Sequence, residues 1–315
     1  MGAQAATLSG GRVSPPPALP PAVALAGAVL AMSWAGPLVR FATAPALVIA
    51  AWRLVLSVLF IGIVLAVRRT APLAGVARRD LLLMVAAGVL LAAHFWSWIA
   101  SLGLTTVASS VVLVSTQPVF VGLISLFFLR ERPTRREWIG IAIAVVGAAV
   151  IGWGDFSMGR DAFLGDLLAI AGAVFASAYY VIGRGVRQRL DLWRYIFVVY
   201  GAAAALLFAA AVALPGVQAT GYPRTDWLVF VALAAGPMML GHTGVNYALR
   251  YVPAYVANLA LLGEPVGATL IAWLLPAIGE VPDPRVLGGT VLILSGIAVG
   301  AIRGAPRYRS TNPIG

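Results

Sequence analysis

Of the chain's 315 residues 61% are hydrophobic and only 10% charged, with a mean hydropathy of +0.94; soluble domains carry about 25% charged residues, so this balance excludes a water-soluble fold and describes a polytopic membrane protein. The formal charge of +11 does not make a nucleic-acid binder, because the basic residues, all arginine, lie in short clusters between apolar runs and no soluble domain exists to carry a basic face. The lack of cysteine excludes a thiolate metal site, a disulfide framework and a cysteine nucleophile.

Residues 1–20 are rich in Pro, Gly and Ala with one charge, Arg12, and read as a disordered tail. Ten apolar runs follow, near 21–39, 45–67, 81–101, 105–129, 137–153, 162–183, 192–214, 227–249, 252–275 and 285–302. Each is long enough to cross about 30 Å of hydrocarbon at about 1.5 Å per residue. The first exceeds the apolar core of a secretory signal and is read as a span. Short, charged connections join the runs, and residues 304–315 form a C-terminal tail. With both termini in the cytoplasm only Arg40, Arg160, Arg224 and Arg285 face out, Arg53 lies inside the second run, and every other arginine is cytoplasmic. Excess arginine on the cytoplasmic side is the expected bias, and a different helix count would scramble it.

The chain repeats itself. His94 and His242 stand 148 residues apart, as do Ala100 and Ala248; Gln117-Pro118 and Glu264-Pro265 stand 147 apart, and Trp52-Arg53 recurs as Trp193-Arg194 after 141. The two copies cover 21–153 and 163–303. Five helices per copy is an odd number, so the second copy is inverted relative to the first. The expected fold is an all-α membrane protein of ten transmembrane helices in two inverted five-helix repeats, the architecture that alternates access to a midplane site. Gly140 with Gly147, and Gly289 with Gly296, are expected to form packing seams between helices.

Tyr247-Ala248-Leu249-Arg250-Tyr251, the mid-helix Glu264-Pro265, Gly279-Glu280 and the glycine-rich last helix (Gly288, Gly289, Gly296, Gly300) carry a resemblance. Together they resemble the EamA-type unit of the drug/metabolite transporter superfamily, and Pro118, Arg130-Glu131, Gly140, Gly147 and Gly152 repeat it in the first copy. The sequence departs from that pattern where Gln117 replaces the acidic residue common before the proline, and where Pro265 to Glu280 is two residues longer than Pro118 to Glu131. The resemblance implies ten helices and small-metabolite transport, often export, with aromatic amino-acid exporters nearest in appearance.

Polar residues within the runs mark a candidate path, since an ionisable group in hydrocarbon needs a partner or water. Glu264, near the bilayer centre, is either a proton-coupling acid, a ligand for a substrate ammonium, or a protonated carboxyl that ties down backbone freed by Pro265. Gln117 is its uncharged counterpart, and Pro118 and Pro265 are expected to bend their helices as hinges or as plain packing kinks. One turn beyond the histidines stand Trp98 and Asn246 on the same faces. His94 with Trp98 and His242 with Asn246 suit a zwitterion with a flat apolar side chain, or else bond between helices. Trp34, Tyr179, Tyr180 and Tyr255 are aromatic lining candidates against a background of interfacial belts, and Ser33 and Asn258 are small polar ones. Arg53 reads as a structural arginine. Two histidines without a third ligand make no metal site, and no cofactor is expected.

The expected function is a secondary transporter of a small metabolite, foremost amino-acid export, in a bacterial inner membrane; the coupling ion is left open, with protons as a candidate through Glu264. No GxxxxGK[ST] occurs, so the driving force is a gradient. An integral membrane enzyme would need catalytic groups clustered at one interface, whereas these polar residues spread across the bilayer. A channel would call for a filter motif, and none is present. The sequence carries no mark of oligomeric state.

Overall fold

The computed structural model describes residues 17–128, 135–252 and 254–301. Most of the expected N-terminal tail, the Arg130-Glu131 pair and all of the C-terminal tail lie outside the described residues. Every regular element among the described residues is helical. In order these are α1 (Pro21–Met32), α2 (Ala35–Val39), α3 (Ala46–Val67), α4 (Arg78–Leu102), α5 (Val107–Val114), α6 (Gln117–Phe128), α7 (Arg135–Met158), α8 (Arg160–Arg187), α9 (Leu192–Ala213) and α10 (Arg224–Leu233). A π-helical stretch (Ala234–His242) runs on into α11 (Thr243–Ala248), followed by α12 (Ala254–Ala260), α13 (Gly263–Leu274) and α14 (Pro284–Ala301). Joined across their breaks, these give 8 stretches among the described residues that are long and apolar enough to cross a membrane. The remaining predicted runs form α7, whose apolar part Trp138–Val150 is shorter, and α14.

Prolines mark where several helices are interrupted. A proline has no N–H to give the carbonyl four residues back, so it is tolerated in a first turn, where that donor has no intrahelical partner anyway. Pro37 sits in the first turn of α2, Pro118 in that of α6 and Pro265 in that of α13, each just after a break at Ser33-Trp34, Ser115-Thr116 or Leu261-Leu262. The sequence suggests that Pro118 and Pro265 bend continuous helices; instead each helix ends and restarts. Short bonds close the gaps: Thr116 Oγ1 donates to Leu113 O at 2.7 Å and Glu264 N to Leu261 O at 2.9 Å. Pro237 falls inside the π-helical stretch, whose wider register leaves carbonyls to be met from elsewhere. Thr243 Oγ1 meets one of them, donating to Met238 O at 3.2 Å.

Small residues set the closest packing, because glycine lets helix backbones approach. A Cβ at Gly147 of α7 would lie 2.7 Å from Gly289 O, and one at Gly296 of α14 would lie 2.5 Å from Gly140 O. The two glycine pairs of the sequence thus pack into each other. α4 lies against α8 and α9, α3 against α9, and α1 against the π-helical stretch and α11.

Two carboxylates pin helix ends, and their magnitudes differ. Fully buried Asp226 accepts from Thr43 N (2.7 Å), Ala44 N (3.0 Å) and Thr43 Oγ1 (2.9 Å), which holds the start of α3 against α10. Asp80 pairs with Arg189 at 2.6 Å, but that arginine side chain is 53% exposed. Hydrogen bonds to a charged group contribute roughly 1.5–3 kcal/mol and strand buried donors when lost, whereas exposed ion pairs contribute about 0–1 kcal/mol. Asp226→Ala is therefore expected to lower unfolding stability in detergent by about 3 kcal/mol, and Asp80→Ala by no more than about 1 kcal/mol. Equal losses in a denaturant titration would refute this ranking.

Candidate functional site

Polar and aromatic residues from several parts of the bundle meet at its middle. α4 contributes His94, Phe95 and Trp98; α8 contributes Tyr179 and Tyr180; α9 contributes Tyr200; the π-helical stretch and α11 contribute Met238, His242, Thr243 and Asn246; α3 contributes Arg53. All of these are buried. The two histidine rings, far apart in sequence, stand 6.0 Å apart centroid to centroid, edge to face. Phe95 meets His242 at 4.9 Å, and Trp98 stacks parallel to His94 at 6.4 Å.

Hydrogen bonds fix the orientations. His94 Nδ1 lies 2.9 Å from Gly172 O, and since a carbonyl only accepts, that nitrogen carries a proton and Nε2 is left for another partner. His242 Nδ1 lies 3.3 Å from the Tyr180 hydroxyl. Asn246 Nδ2 donates to His242 O at 2.8 Å, to Tyr200 Oη at 3.3 Å and to Tyr179 Oη. Tyr200 Oη in turn lies 3.2 Å from Thr243 Oγ1. The network runs from α8 through α11 to α9.

Glu264 lies in the first turn of α13, 6% exposed, and interacts electrostatically with Arg53 and Tyr180. It belongs to neither of the ion pairs among the described residues, which are Arg40–Glu280 and Arg189–Asp80. Gln117 opens α6 with its Oε1 buried and without a partner, while its carbonyl accepts from Ser177 Oγ at 3.1 Å. Trp98 Nε1, Asn246 Oδ1 and Asn258 Oδ1 are likewise buried without partners. Each such group leaves a desolvation cost unmet.

Several sequence-derived candidates stand apart from these contacts. Trp34 is 46% exposed whereas Tyr179 and Tyr180 are fully buried, so these aromatic candidates do not share one environment. The break between α1 and α2 falls at Trp34 itself. Ser33 donates to Val29 O at 2.9 Å and faces Gly267 where α1 crosses α13, a packing position. Asn258 donates to Ala254 O at 2.8 Å within its own helix. Tyr255 belongs to α12, but its side chain lies outside the described residues. Sequence reasoning misses Phe95, Tyr200 and Thr243 and places Arg53 in the scaffold. A phenylalanine in an apolar run carries no signal of its own, and Tyr200 is open to the same reading as Tyr179 and Tyr180; Arg53, deep in such a run, carries a signal that points to burial but not to its neighbours.

The two ends of the bundle are closed by different chemistry. At one, Arg40 pairs with Glu280 at 2.7 Å and donates to Thr105 O at 2.8 Å, while Glu280 accepts from Val107 N at 2.7 Å, at the start of α5. At the other, Arg184 donates to Leu249 O (2.6 Å) and Arg250 O (3.1 Å), and Arg187 to Asn246 O (3.0 Å) and Leu190 O.

The sequence profile of the EamA-like transporter family matches residues 20–153 and, separately, residues 163–301. "Uncharacterized transporter YdfC" of Bacillus subtilis (strain 168) is 29% identical over 210 residues, which cover 64% of this chain and 66% of that relative, just under two thirds of its length. An "Uncharacterized transporter" of Archaeoglobus fulgidus is 28% identical over 202 residues, 63% of this chain and 70% of that one. A solved crystal structure, 21% identical, covers 89% of this chain and 96% of its own with a TM-score of 0.66, a likeness of fold alone.

Proposed function

The chain belongs to the EamA-like transporter family of the drug/metabolite transporter superfamily, and from that premise we propose that it is a secondary transporter binding a small metabolite, foremost an amino acid, at the buried histidine and tyrosine cluster. The observation that carries this reading is the meeting of His94, His242, Tyr180 and Asn246 midway between two separately latched ends. A site reached alternately from either face needs such an arrangement. An enzyme would place its reactive groups where one face always reaches them. The relatives bear the names of transporters, which agrees.

We take the architecture as ten spans in two inverted repeats, termini cytoplasmic, in a bacterial inner membrane, with protons as the coupling ion. Paired contacts support the repeat. Thr43–Asp226 and Asp80–Arg189 are one contact twice over, since both Asp80 to Asp226 and Thr43 to Arg189 are steps of 146 residues. Gly147 against Gly289 and Gly296 against Gly140 mirror each other in the same way. So do the pairings of α4 with α8 and of the π-helical stretch with α1.

Opening either face requires its latch to part. The Arg40–Glu280 pair is about a quarter exposed, at 28% and 22% for the two side chains, and partly exposed pairs contribute about 1 kcal/mol. That is small enough to be offset by the differential binding of a solute. Glu280→Gln is expected to raise several-fold the rate at which a membrane-impermeant thiol reagent labels a Ser110→Cys protein, the serine being fully buried one turn into α5 from this latch. The chain has no cysteine of its own to confuse the readout. An unchanged rate would remove the latch from the mechanism.

The test of the function itself is counterflow in proteoliposomes preloaded with single amino acids. Saturable exchange, competed by unlabelled solute, is the expected result. Linear, unsaturated conductance would mean a channel, and chemical conversion without movement would mean an enzyme.

A further inference from the structure

Arg53 stands in the central cluster with its donors unspent. It sits two turns into α3, fully buried, with Cζ 4.1 Å above the Phe95 ring. That cation–π contact occupies one side of the guanidinium and leaves its N–H donors for a ligand that approaches from another. Nε and Nη1 have no hydrogen-bond partner, and Nη2 reaches only the Met238 thioether sulfur at 3.9 Å. A thioether is a weak acceptor on a flexible side chain that yields readily.

Other arginines that reach into the bundle are treated differently. Arg40, Arg184, Arg187 and Arg194 each donate to backbone carbonyls. Each is thereby tied down by the protein itself, although Arg40 Nε, like Arg250 Nε, is buried without a partner; Arg53 differs in that none of its nitrogens reaches an oxygen. A buried guanidinium with its donors unmet is costly, and what meets such a cost elsewhere is a hydrogen-bonded anion. Glu264 interacts with Arg53 electrostatically but forms no ion pair with it.

We propose that Arg53 is the anchor for the carboxylate of the transported solute, gripping it through the free edge of the guanidinium. This rests on the reading of the central cluster as the transport site and adds to it the charge of what is carried. A carboxylate fits better than a phosphate: two oxygens match the guanidinium fork, and one negative charge matches the one positive charge of the guanidinium. Phe95, Trp98 and Tyr180 then surround the remainder of the solute.

The test is isothermal titration calorimetry of the full chain in nanodiscs, with the natural amino acids as free acids and the same compounds as C-terminal amides. The expected result is that at least one free acid binds more than about tenfold tighter than its amide, as loss of a charge-assisted bidentate contact requires. Arg53→Gln should abolish that preference, while Arg53→Lys, which keeps the charge and loses the fork, should weaken the acid about fivefold or more and keep the preference over the amide. Should Arg53→Gln fail to fold, the wild-type acid-to-amide ratio and the lysine variant still decide. Equal binding of acid and amide overturns the proposal, as does full acid affinity in Arg53→Lys, or displacement of the bound acid by inorganic phosphate at equal concentration. Counterflow in the same proteins is scored separately: flux of amides as fast as acids sinks the anchor and leaves the transporter, while Arg53-dependent binding without flux does the reverse.

Discussion

Glu264→Gln is expected to uncouple the transporter from protons without stopping exchange. The glutamine has the size and neutral charge of a protonated carboxyl, so a carrier that moves solute with a proton on Glu264 should still run solute-for-solute counterflow. It should lose accumulation driven by a pH gradient by about tenfold or more, and its exchange rate should no longer vary with pH. Arg53 and Tyr180 interact electrostatically with Glu264, and His94 and His242 belong to the same buried cluster as those two. His94→Gln and His242→Gln, made separately, show whether any remaining pH dependence is theirs. The same variant separates the other roles of Glu264. If the carboxylate instead receives a substrate ammonium, glutamine raises KM for amino acids while the shape of the pH profile persists. A protein with unaltered KM and unaltered pH profile would leave Glu264 a scaffold residue that fills the first turn beside Pro265.

Gly296→Val is expected to cost at least about 3 kcal/mol, the upper end for inserting bulk into a packed interior, and to leave little folded protein in the membrane. A Cβ at that position would sit 2.5 Å from Gly140 O and 2.7 Å from Ala144 N. Those are backbone atoms, so no rotamer can relieve the contact and α14 must move off α7. Gly147→Val should behave alike, with its Cβ 2.7 Å from Gly289 O. Gly288, also on α14, has nothing within 4 Å of a Cβ, and Gly288→Ala serves as the control. Detergent-solubilised yield and thermal unfolding of the three variants give the readout. A Gly296→Val protein as stable as the control would mean that the α7–α14 seam is not tightly held.

Much of the fold is legible because hydrocarbon imposes its length on a helix. The stretches Ala46–Val67, Leu192–Ala213 and Arg224–Ala248 lie within a few residues of the predicted runs. The glycine pairs 140/147 and 289/296 read as seams, since close backbone approach explains glycine at that spacing in a lipid-bound helix. The breaks are less legible. A proline announces a lost hydrogen bond, but whether the helix kinks, restarts or widens into a π register depends on what its neighbours offer the freed carbonyl. At Pro265 the helix restarts; at Pro237 it widens, and Thr243 supplies a bond.

For the site, sequence reasoning picks His94, Trp98, His242, Asn246, Tyr179, Tyr180 and Glu264 because polar or amphipathic groups in a span are costly and rare. The structure gathers the histidines, Trp98, Asn246 and the two tyrosines around one network, and sets Trp34, Ser33 and Asn258 apart from it. It adds Tyr200, Phe95 and Thr243, which nothing in the linear sequence sets apart from the other tyrosines, phenylalanines and threonines of the spans.

By itself the sequence determined that this chain lives in a bilayer, that it is built from the same unit twice, and which costly side chains it places in hydrocarbon; composition and spacing are properties of the linear chain, and the apolar solvent acts on them directly. Only the tertiary structure decided which of those side chains meet. A helix turns its residues through about 100° each, so Trp34 and Tyr179, both aromatic candidates in the sequence, end in different surroundings, while Arg53 is left with open donors by the arrangement of α3, α4 and the π-helical stretch around it. Which polar groups find partners is settled between helices, and nothing in the order of residues along one helix records it.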